Sequence, residues 1–90
     1  MISGVNGSNC ILESMARIRV EGEMIDKAKI IGPKGEYIIE FYGSGAEWNG
    51  RAVVLCSARD PYNPRKFKSV DGAISQLSRI GLNNVSIVVS

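Results

Sequence analysis

The sequence predicts an α+β fold: a single small domain in which a mostly antiparallel sheet of about five strands, in the order β-β-β-β-α-β, carries one helix packed on one face. Three observations predict it. Short apolar segments, alternating or β-branched, are separated by glycine- and proline-bearing turns. One stretch towards the C-terminus repeats apolar residues at helical spacing, with readable start and stop signals. A chain of 90 residues, 44% hydrophobic and 22% charged, is long enough for one core and too short for two.

Residues 1–14 mix Gly, Ser and Asn, with Ile11 and Leu12 as the only apolar pair that could anchor them. They are expected to form a flexible N-terminal tail or an added leader, leaving residues 15–90 as the domain. From Ala16 the pattern alternates. Ala16, Ile18 and Val20 fall on one side and Arg17, Arg19 and Glu21 on the other, the period of a first strand. Gly22-Glu23 permits a turn into a second strand, where Met24, Asp26, Ala28 and Ile30 oppose Ile25, Lys27, Lys29 and Ile31. Gly32-Pro33-Lys34-Gly35 has turn chemistry, with proline presetting φ. The third strand is Glu36 to Tyr42, aromatic and β-branched.

Asn49-Gly50 is a strong type I′ signal directly ahead of the apolar run Ala52 to Cys56, which suits a central strand because both its faces are apolar. Ser69 supplies the short hydroxyl of an N-cap. Val70, Ala73, Ile74, Leu77 and Ile80 then follow the spacing of one helical face, which predicts a helix over Val70 to Ile80. Gly81 stands where a left-handed C-terminal residue belongs, with Leu82 able to pack back on Leu77. Val85 to Val89 closes the sheet as a β-branched strand.

The same residues limit the chemistry. The chain has no histidine, which removes the Ser-His-Asp and Cys-His arrangements and the side chain best suited to proton transfer near neutral pH. Its two cysteines, without histidine, make neither a four-ligand zinc site nor a disulfide framework, and Cys56 lies within an apolar run. The carboxylates are scattered. No enzyme, cofactor or metal is expected. No apolar run approaches the roughly 18 to 20 residues a membrane span needs. A cytoplasmic protein without a membrane partner is the expectation.

Net charge is only +2, but residues 51–90 hold six basic residues against two acidic ones. In that half a basic loop carries Arg59, Arg65, Lys66 and Lys68 with Tyr62 and Phe67 interleaved, so phosphate contacts and base stacking can occur together. The alternative reading of this loop packs Tyr62 and Phe67 inward and leaves the charges solvated. A second candidate is the sheet face opposite the helix, where strand alternation places Arg17, Arg19, Lys27 and Lys29 beside Ile38 and Tyr42.

Strands followed by a basic segment and a helix, as in RKFKSVDGAISQLSRIG, give residues 36–80 a pattern that resembles single-stranded-DNA-binding transcriptional coactivators. The strand Val85 to Val89 departs from that pattern, and no residue roles carry over. The leading expectation is a small non-enzymatic nucleic-acid-binding or regulatory domain, with single strands favoured and a homodimer formed through a sheet face or edge. The competing expectation is a protein-interaction module or a homodimeric structural domain.

Overall fold

The structure is a computed structural model. It describes residues 10–48, 50–56 and 64–89. Its elements in chain order are β1 (Cys10–Ile11), α1 (Glu13–Glu21), β2 (Lys27–Gly32), β3 (Ile38–Tyr42), β4 (Glu47–Trp48), β5 (Arg51–Ala52), β6 (Val54–Leu55), α2 (Val70–Ile80) and β7 (Val85–Val89). Five strands form one sheet in the order β1-β6-β3-β2-β7, and β4 and β5 form a separate two-stranded hairpin. The fold is α+β as the sequence predicts, with two differences.

The sheet is mixed rather than mostly antiparallel. β1 runs parallel to β6 and β2 parallel to β7, while β3 runs antiparallel to both its neighbours. A parallel pair needs a crossover connection, and the helices supply the crossovers: α1 carries the chain from β1 to β2, and α2 carries it from β6 to β7. Both connections move in the same direction across the sheet. Crossovers of one hand therefore put both helices on the same face.

The second difference is α1 itself. The segment from Ala16 to Glu21 alternates like a strand, yet Glu13–Glu21 is helical. Alternation also contains an i, i+4 pair, Ala16 and Val20; Ala16 is fully buried and Val20 packs against the core. Glu13 stands in the first turn and pairs with Arg17 at 3.4 Å, and Arg19 stands in the last turn, both matching the helix dipole. Ile18, which the strand reading placed inside, is 65% exposed. Residues 10–14 also depart from the tail reading. Cys10 and Ile11 pair with Val54 and Leu55, both are buried, and Ile11 joins the main core. Residues 1–9 lie outside the described residues.

The strand readings of β2, β3 and β7 hold: β7 spans the predicted residues, while β2 and β3 start later than predicted. β2 begins at Lys27, three residues after Met24, and the predicted run from Ala52 to Cys56 divides between β5 and β6. The two-residue connection between Trp48 and Arg51 fits the Asn-Gly signal; Gly50 has φ 81°, and Asn49 is outside the described residues. At the end of β2 the left-handed backbone of Gly32 (φ 146°) brings it so close to Glu36 that an added Cβ would sit 2.5 Å from the Glu36 carbonyl oxygen.

α2 forms over the predicted residues. The Ser69 hydroxyl accepts from the Gly72 N–H at 3.1 Å, as an N-cap should. At the other end Gly81 has φ 98°, its N–H donates to the Ser78 carbonyl, and the Leu82 N–H donates to the Leu77 carbonyl at 3.0 Å: a Schellman ending. Ala73, Leu77 and Ile80 are buried, but Ile74 is exposed and the buried stripe includes Gln76 instead.

One core lies between the helices and one sheet face. Ile11, Ala28, Ile30, Ile39, Phe41 and Leu55 meet Ala16, Ala73, Leu77 and Ile80 there. On the opposite face a smaller cluster of Cys10, Val54 and Cys56, with Leu12 and Ile38 against it, is buried at the β1–β6 end.

Candidate binding face

The part of that opposite face built by β2, β3 and β7 is left half open. Strand alternation puts Lys27, Lys29 and Ile31 of β2 there, and the antiparallel register sets them against Tyr42, Glu40 and Ile38 of β3. β7 adds Ser86 and Val88, which face Lys29 and Ile31 across the parallel pair. Tyr42 stands at one end of this face, beside the β4–β5 hairpin. Lys27 stands directly across from it, and Lys29 Nζ lies 5.2 Å from its ring centroid, a cation–π distance.

The Tyr42 hydroxyl donates to Glu40 Oε1 at 2.5 Å. This bond to a carboxylate, aided by burial and by the charge of Glu40, pushes the phenol up to about 12. Tyr42 is thus a fixed neutral aromatic at any physiological pH. Beside it the β4–β5 hairpin walls a cleft of about 580 Å³ lined by Glu40, Tyr42, Glu47 and Arg51. Lys27, Lys29 and Arg51 outweigh Glu40 and Glu47 by one charge, which gives the region a slightly positive balance.

The structure separates the predicted site residues. Lys27 and Lys29 share this face with Tyr42 and Ile38, as alternation predicts. Arg17 and Arg19 do not join them, because they lie on α1, across the sheet. Arg17 pairs with Glu13 and donates to the Arg79 carbonyl at 3.3 Å. Arg19 is half-buried, donates to the Gly45 carbonyl at 3.3 Å, and has its pKa lowered by burial.

Of the basic loop, Arg59 and Tyr62 lie outside the described residues. Arg65 donates to Gln76 Oε1 at 3.0 Å and stacks 4.9 Å from the Phe67 ring centroid. Lys66 meets Glu36 at 3.4 Å, and Lys68 is exposed. Phe67 is corrected from a stacking residue to a core one. It is buried, and its backbone exchanges hydrogen bonds with Tyr37 at 2.9 and 2.7 Å, so its ring is not available to a base. Arg65 and Arg17 both line a separate cleft of about 300 Å³ at the start of α1.

Sequence reasoning missed the pairing of Glu40 with Tyr42, and it read the Asn49-Gly50 turn of the hairpin without its short strand β4. The register that sets Glu40 against Lys29 follows from the β2–β3 turn, and could have been read from its length.

No protein-family profile, curated protein or solved structure matches this chain. The resemblance of residues 36–80 to single-stranded-DNA-binding coactivators therefore has no counterpart among these comparisons, and the geometry of the face is the basis for a functional reading.

Proposed function

We propose that the chain is a small non-enzymatic nucleic-acid-binding domain of the cytoplasm, with single strands preferred, that works through its open sheet face. The observation that carries this reading is the placement of Tyr42 against two lysines of the neighbouring strand, on the face away from both helices. A base stacks on the aromatic ring once the flexible Lys29 stem swings aside, and Lys27 and Lys29 take the neighbouring phosphates. The basic loop is secondary, since two of its described members are engaged with Gln76, Phe67 and Glu36.

Fluorescence anisotropy with single- and double-stranded oligonucleotides at two salt concentrations tests the reading. Replacing Lys27 and Lys29 together by Ser is expected to weaken binding to all sequences alike and to flatten the log-affinity against log-salt slope by roughly 0.7 for each phosphate no longer neutralised. Tyr42→Ala is expected to cost about 1 to 3 kcal/mol regardless of salt. Absence of binding by the wild type at low salt, or binding untouched by all three changes, overturns it.

A second reading is favoured by β7. It is an outer strand, VSIVV, with no charged residue, and two of its side chains, Ile87 and Val88, are exposed. Such an edge suits a domain that docks another polypeptide, a second copy of itself included.

A further inference from the structure

We infer that β7 pairs with β7 of a second copy, antiparallel about a two-fold axis at Ile87, joining two five-stranded sheets into one. The inference rests on the second reading above and names its partner. Three observations carry it.

The first is the direction of the backbone. The Ala28 N–H donates to the Asn84 carbonyl, so Asn84 turns towards β2. Alternation along the strand turns Ser86 and Val88 the same way and points the N–H and C=O groups of Val85, Ile87 and Val89 outward. Among the described residues no strand pairs with that side.

The second is the chemistry of the edge. Natural sheets protect their outer strands with lysine, proline, bulges or very short strands. β7 has five residues, no charge and no proline, and Ile87 is 50% and Val88 44% exposed.

The third is self-complementarity. A two-fold pairing is isologous, so the strand must be its own partner. Read in both directions about Ile87, V-S-I-V-V sets Val85 against Val89 of the second copy, Ser86 against Val88, and Ile87 against Ile87. β-Branched residues thus face β-branched residues at Val85–Val89 and Ile87–Ile87, Ser86 faces Val88, and no position sets like charges together. A register shifted by two residues leaves one outward residue of each strand unpaired; the Ile87-centred register uses all three. A single strand edge buries less than the roughly 800 Å² per partner of a standard stable interface, so the dimer is expected to be weak, on the order of micromolar.

The test is a dilution series by analytical ultracentrifugation on the full chain, with charge variants at the axis. Wild type is expected to shift from dimer to monomer on dilution. Ile87→Lys and Ile87→Glu are each expected to be monomeric, with unchanged far-ultraviolet circular dichroism, because the axis sets the two like charges side by side. Mixed in equal amounts, they are expected to re-form a dimer. If either charged variant fails to fold, Ile87→Cys takes its place, and a disulfide between copies on mild oxidation is the expected result. A wild type that stays monomeric up to about 1 mM overturns the proposal, as does a dimer that survives in Ile87→Lys, or Ile87→Cys that does not cross-link. For a monomeric wild type, titration with a synthetic NNVSIVVS peptide separates the two claims. Shifts of the β7 amides in its NMR spectrum would leave polypeptide docking standing and remove only the second copy, whereas an unchanged spectrum would remove both.

Discussion

Replacing Ile11 by alanine probes the least expected part of the fold. Ile11 is fully buried, lies opposite Leu55 and belongs to the main core, although its strand has only two residues. Ile→Ala deletes three carbons, worth about 0.8 kcal/mol each on transfer from water, or about 2.4 kcal/mol. The space left behind adds to this in proportion to its volume, and large-to-small core changes span about 2 to 5 kcal/mol. A strand as short as β1 can move partly into the space, so the expected loss is about 3 kcal/mol. Urea unfolding followed by circular dichroism gives the change, compared with Ile18→Ala as a control. Ile18 is 65% exposed, and its loss should stay within about 0.5 kcal/mol. A loss below about 1 kcal/mol for Ile11→Ala would show that the β1–β6 pair is not part of the stable fold and would restore the reading of residues 10–14 as a tail. Equal losses for the two variants would refute the assignment of α1 as well.

Leu77→Ala, at the centre of the α2 stripe with its side chain fully buried, is expected to cost about 2 to 5 kcal/mol in the same assay. Ultraviolet titration should find the Tyr42 phenol ionising near pH 12, and Glu40→Gln should bring it back towards 10. The sign of the linked stability follows: a proton held more tightly in the folded state contributes fully below the unfolded value near 10 and is lost as pH rises through about 12, so Tyr42→Phe should remove that alkaline dependence.

Local chemistry that leaves only one solution was legible in the sequence. The ends of α2 were readable because a capping hydroxyl three residues before an amide and a glycine able to take φ 98° are sufficient signals in themselves. Lys27, Lys29, Ile38 and Tyr42 were placed on one face because strand alternation fixes that relation before any partner is known. Arg17 and Arg19 were misplaced because Ala16-Arg17-Ile18-Arg19-Val20 satisfies a period of two and an i, i+4 pair equally well; the fact that decides between them is the core that Ala16 enters, which is tertiary. Cys10 and Ile11 had no local signal at all. Two residues show no period, and their burial depends on β6, more than forty positions later. The inward turn of Phe67 is of the same kind, set by its bridge to Tyr37.

The strand order has a kinetic consequence. β2 and β3 are joined by a short turn, whereas Ala28 meets Val85 across 57 positions and Cys10 meets Val54 across 44. Closing long loops costs entropy before any contact offsets it, so the β2–β3 hairpin can form early while β1 and β7 must dock late. On the ribosome, synthesis runs from the N-terminus, and Ile11 has to stay exposed until Leu55 has emerged. The two strands that enter last, β1 and β7, are the margins of the single chain's sheet, so in the dilute monomer the sheet is expected to open from those margins inward, with amide exchange fastest at β1 and β7 and slowest along β3.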